Sequence, residues 1–111
     1  MNGAPAMAEA AAYLISRGLT EIRSRVAEAV REAGDARTVT VDMFMLERIY
    51  QIAEVCHELS PPLGLLDPDA RERAATEALT ERWSTVPAQW RDWIARRLEE
   101  LGPGYLEKID R

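Results

Sequence analysis

The chain has one cysteine, one histidine and one lysine among its 111 residues. One cysteine excludes an intramolecular disulfide framework and any zinc site built from several cysteines. One histidine excludes a His-rich metal centre within a single chain. No apolar run approaches the ~18 residues that a membrane span needs, and no basic region precedes an apolar run at the start. The expectation is a cytoplasmic domain with no membrane partner. There is no glycine-rich phosphate loop after a strand, no serine elbow, and no carboxylate pair placed inside a predicted core. Only Arg37-Thr38-Val39-Thr40-Val41 is strand-like. A lone strand is either plain linker or must pair across a dimer axis, and linker is the favoured reading.

What is present is a globular composition, 47% hydrophobic and 30% charged, in a length that suits one domain. Residues 1–5 read as a disordered N-terminus and residues 6–111 as a single helical domain. The net charge is −5, from 14 basic and 19 acidic residues. The basic residues lie among acids, as in Glu21-Ile22-Arg23-Ser24-Arg25, so no basic stripe marks a nucleic-acid partner.

The expected fold class is all-α: a small bundle of four main helices, with a long heptad-patterned first helix and a nearly fully apolar central helix. From Ala6 to Ala33, the residues Ala8, Ala12, Ile15, Leu19, Ile22, Val26, Ala29 and Ala33 alternate in steps of four and three, one seam held through the whole segment. Gly18 costs about 1 kcal/mol relative to Ala, but the seam keeps its phase across it, so one continuous helix is expected. Gly34 supplies a left-handed stop.

The second helix runs from about Asp42 to Leu59, capped by Thr40 or Asp42. Met45, Leu46, Ile49, Ile52, Ala53, Cys56 and Leu59 share one side, and Met43, Phe44, Tyr50 and Val55 widen it. Only Glu47, Gln51, Glu54 and Glu58 form a polar ridge, which predicts a helix wrapped on most sides. Ser60-Pro61-Pro62 ends it. Asp67-Pro68-Asp69 starts a third helix reaching about Ser84, with a thin apolar side of Ala74, Ala75, Ala78, Leu79 and Trp83. Pro87 opens a fourth, to Leu101, with Trp90, Ile94, Leu98 and Leu101 inward. Tyr105, Leu106 and Ile109 suit a short final turn that packs back.

The ten residues Ala33-Gly34-Asp35-Ala36-Arg37-Thr38-Val39-Thr40-Val41-Asp42 resemble the loop between the long and last helices of histone-fold proteins. That resemblance implies a long helix, a β-like linker and another helix. The chain departs from the pattern in lacking a short first helix, in the length of the second helix and in its acidic charge.

Few residues suggest chemistry. Glu54 and His57 form a Glu-x-x-His half-site of the kind that di-iron bundles use twice. Glu54 lies on the polar ridge and no second His exists, so both read as surface residues and no metal or cofactor is expected. Cys56 faces the predicted core, and its neighbour His57 projects elsewhere, so it reads as a buried structural thiol. Arg48, on the apolar side, calls for a partner carboxylate at the bundle edge. Trp93, Arg97 and Tyr105, with Met43 and Tyr50, are the candidate partner contacts. The leading functional expectation is a non-enzymatic helical protein-interaction module, homo-oligomeric or bound to another protein. The alternative is a small-ligand or cofactor-binding bundle with a pocket lined by Trp and Met. A DNA-associated regulator built on a helix pair is third.

Overall fold

The computed structural model describes residues 6–61, 64, 67–102, 104 and 109. They form four helices: α1 (Ala6–Ala33), α2 (Met43–Leu59), α3 (Pro68–Arg82) and α4 (Ala88–Leu101), with a 3-10 turn at Trp83–Thr85 joining the last two. No strand occurs among the described residues, so the fold is a small all-α bundle. The β-branched segment 37–41 is unpaired linker.

Local chemistry sets the helix ends. Gly34 has φ +59°, the left-handed stop that a side chain disfavours, and its N–H donates to Arg31 O at 3.2 Å. Asp42 caps α2, its Oδ1 accepting the Phe44 N–H at 2.7 Å. Asp67 caps α3 through the Ala70 N–H at 3.3 Å, with Pro68 in the first turn. α1 takes its cap from far away in sequence. The Glu72 carboxylate on α3 accepts the N–H groups of Met7 and Ala8, the latter at 3.2 Å. An anion at the positive end of α1 thus ties α3 across the start of the longest helix.

The core lies at one end of the molecule. Met7 and Leu14 of α1, Leu79 of α3, Val86, and Ile94 and Leu98 of α4 are fully buried, with Trp90 beside them. Ile52, Val55, Cys56 and Leu59 bring in the C-terminal half of α2. Ile109 is also buried, whereas Tyr105 and Leu106 of the expected final turn lie outside the described residues.

Two expectations need correction. The central helix is α1, which packs against α2, α3 and α4. α2 is not wrapped, since Met43, Phe44, Leu46 and Tyr50 in its first half are exposed. The reason is length. At 1.5 Å per residue α1 spans about 42 Å, while α3 and α4 each span about 22 Å and cover only one end. The other end, the second half of α1 with the first half of α2, projects as a two-helix arm. The molecule measures 56 × 30 × 21 Å with a radius of gyration of 16.5 Å, against about 13 Å for a compact chain of this size.

The second correction concerns the face of α1. Its buried stripe is Met7, Ala10, Ala11, Leu14 and Gly18, next to the heptad seam rather than on it. Every seam residue keeps some access to solvent: Ala12, Leu19 and Val26 are exposed, and the other five are half-buried. α1 carries two adjoining apolar stripes, and the one containing Gly18 wins the core because it permits the closer approach. A Cβ on Gly18 would lie 2.5 Å from Cys56 Sγ and 2.9 Å from Ile52 Cγ2. Gly18 therefore marks where α1 and α2 cross, and α1 runs unbroken through it.

Candidate protein-interaction surface

All the large apolar side chains that are exposed among the described residues fall between Leu19 and Tyr50, on the arm and its linker. On α1 they are Leu19, Val26 and Val30, spaced seven and four apart and so on one face. On α2 they are Phe44 and, on another side of the helix, Met43, Leu46 and Tyr50, spaced three and four apart. Tyr50 and Met43 are each 65% exposed and Leu19 is 55% exposed. The α1 stripe lies on one flank of the α1–α2 contact, and the α2 stripe continues from that flank round the outer side of α2, where Met43 and Tyr50 stand about 180° and 160° round the helix from Ile52, which faces Gly18. Glu21 and Arg48 pair at 3.0 Å on one side of the α1–α2 contact. By helix geometry Ile22 and Ile49, both half-buried, lie on the opposite side, between the stripes. The six exposed side chains of the two stripes together hold roughly 600 Å² of apolar surface, the upper end of what a monomer ordinarily carries. Phe44, 81% exposed, sits apart on the flank of the ion pair.

The arm is held by a sparse set of contacts. Glu21 accepts from both Arg48 and Arg25, the latter at 3.1 Å. Burial raises the Glu21 carboxyl, but the two guanidiniums, Arg48 foremost, outweigh it and leave it below the ordinary glutamate value. Arg48 has thus found the partner carboxylate that its place on the apolar side demands. At the base of the arm Cys56 donates weakly to Ile15 O at 3.7 Å. Burial pushes its thiol up, away from the reactive thiolate. It is free and buried, filling the space opposite Gly18.

The other sequence-derived candidates divide by location. Met43 and Tyr50 belong to the apolar face of the arm. Trp93 and Arg97 lie at the opposite end, where they fasten α4 to α1. Trp93 stacks on Tyr13 with ring centroids 3.7 Å apart and planes 9° from parallel. Arg97 pairs with Glu9 at 3.4 Å and with Glu100 at 3.3 Å. Tyr105 lies outside the described residues. Glu54 and His57 are both exposed on α2, and among the described residues no three His, Cys, Asp or Glu side chains converge as a metal site would require. Leu19, Val26, Val30, Leu46 and Phe44 were not among the named contact residues. The heptad seam was the signal for Leu19 and Val26, but periodicity does not say which stripe of a helix the core will take.

A groove of about 410 Å³ runs between α1, α3 and the end of α2. It is lined by Ala8, Ala11, Ala12 and Ile15 of α1 and by Ala74, Ala75 and Ala78 of α3, together with the charged Glu58, Arg71, Glu77 and Glu81. The pocket expected for a ligand-binding bundle, lined by Trp and Met with Arg48 or Tyr50 inside, is not this one: none of those side chains lines it. Compared with known proteins, the chain matches no family model and no curated protein, and the fold matches no solved structure. Among the described residues, no helix is long and apolar enough to cross a membrane.

Proposed function

We propose that the chain is a non-enzymatic helical interaction module that associates with a second copy of itself through the apolar face of the α1–α2 arm. The observation that carries this reading is the segregation of exposed apolar residues: one end of the molecule buries its large side chains, and the other leaves Leu19, Val26, Val30, Met43, Leu46 and Tyr50 in water. Covering all six on both copies hides at most about 1,200 Å², the lower end of the range for specific interfaces. A two-helix arm meeting its own copy makes a four-helix arrangement, which closes the apolar stripes that a lone hairpin leaves open. The acidic balance and interspersed charges argue against a nucleic-acid partner. The unpaired, buried Cys56 suits the reducing cytoplasm.

Sedimentation or light scattering over a range of protein concentrations tests the reading. The wild-type chain is expected at twice its 12.5 kDa mass. Val26→Glu, which places a charge in the face, is expected to give monomers of unchanged helix content by circular dichroism. A wild-type chain that stays monomeric at all concentrations overturns the proposal.

A further inference from the structure

Resting on that reading, we propose that the alanine-lined groove is the seat of the partner copy's arm, so that two α1 helices dock antiparallel along the heptad seam about a two-fold axis between Leu19 and Ile22. Two independent features of α1 point to this arrangement.

The first is that the seam is matched to itself by size. In an antiparallel pair centred there, Leu19 faces the partner's Ile22, Ile15 faces the partner's Val26, and Ala12 faces the partner's Ala29. Large side chains meet large ones at the centre, and small meet small toward the ends, where the helices can come closest. Ala12, Leu19 and Val26 are exposed and Ile15, Ile22 and Ala29 half-buried within one copy, so an open edge runs the length of the track.

The second is that the two halves of the seam lie in different surroundings that fit together. Its second half, with exposed Leu19 and Val26, is the ridge of the arm. Its first half, Ala12 and Ile15 among them, lines the open groove beside α3. The antiparallel operation brings the ridge of each copy over the groove of the other. It also sends the two α3 helices to opposite ends.

Disulfide trapping reads the geometry directly. Ala12→Cys and Ala29→Cys are made separately in a Cys56→Ala background, with circular dichroism to establish that each folds; the wild-type Cys56 background replaces it if Cys56→Ala does not. Each variant is oxidised alone, and the two are oxidised as an equimolar mixture. The expected result is a disulfide-linked heterodimer in the mixture, at least tenfold above the crosslinked product of either variant alone. Dimers by light scattering without the mixed disulfide, or with efficient crosslinking of one variant to itself, overturn this geometry and leave association through the arm standing. Monomers by light scattering overturn both.

Discussion

The two ends of α1 differ in what surrounds them, not in how they form a helix. Around Met7 to Leu14 the helix is flanked by α3 and α4, and its apolar stripe is sealed by Leu79, Ile94 and Leu98. Beyond Gly18 its neighbour among the described helices is α2, and Leu19, Val26 and Val30 stay wet. The arm has no shortage of aliphatic residues; it lacks a third and a fourth helix. Helical periodicity assigns a side chain to a stripe, whereas the burial of that stripe depends on the lengths of the other elements, and α3 and α4 are too short to reach it.

The sharpest way to break the contrast is to make the same change at both ends. Leu14→Ala removes a side chain with no exposure and is expected to cost about 2–5 kcal/mol of folding stability. Leu19→Ala is expected to change the stability of the monomer by less than about 0.5 kcal/mol, while weakening association. Urea unfolding at low protein concentration checks the first pair of values, and the concentration dependence of the mass checks the second. Equal losses from the two changes would mean that the arm is as well packed as the core.

A smaller effect is expected at the boundary. Gly18→Ala adds a methyl group into Cys56 and Ile52, an overpacking cost of about 1–3 kcal/mol. Better helix propensity returns about 1 kcal/mol of that. The net result is a lower urea midpoint, partly restored by adding Cys56→Ala, which removes the nearer of the two obstacles. A Gly18→Ala variant more stable than wild type would show that the crossing is loose.

The smallest effect belongs to the arm itself. The Glu21 carboxyl titrates below its ordinary value, so the stability that it contributes is present above pH 4.5 and is lost as the pH falls through the depressed folded value. The pair is partly exposed, which limits the contribution to under about 1 kcal/mol. Arg48→Met is therefore expected to unfold more easily than wild type at neutral pH, with the gap closing as the pH falls through the depressed folded value of Glu21. A gap that persists in acid would assign the role of Arg48 to packing of its stem.

Much of the fold was legible in the residues. Gly34, Asp42, Ser60 and Asp67-Pro68 mark their helix ends because capping is local chemistry, written within a few residues of its effect. The carboxylate partner of Arg48 was legible in kind, though not as Glu21. The cap of α1 by Glu72 was not legible, since nothing near Ala6 announces a donor set that will be met by another helix. Of the candidate site, Met43 and Tyr50 were visible as the edges of an apolar arc. Leu46 was not, because the arc of α2 does not say which part of it other helices cover, and Val30 was not, because it lies off the heptad seam of α1.

By itself the sequence determined four helices, their approximate limits, a continuous first helix and a heptad seam along it, because propensity, caps and periodicity act over one or two turns. Only the tertiary structure decided which stripe became the core. That choice rests on the absent side chain of Gly18, which lets Cys56 and Ile52 come close, and on the reach of α3 and α4, and both are relations between segments distant in the chain.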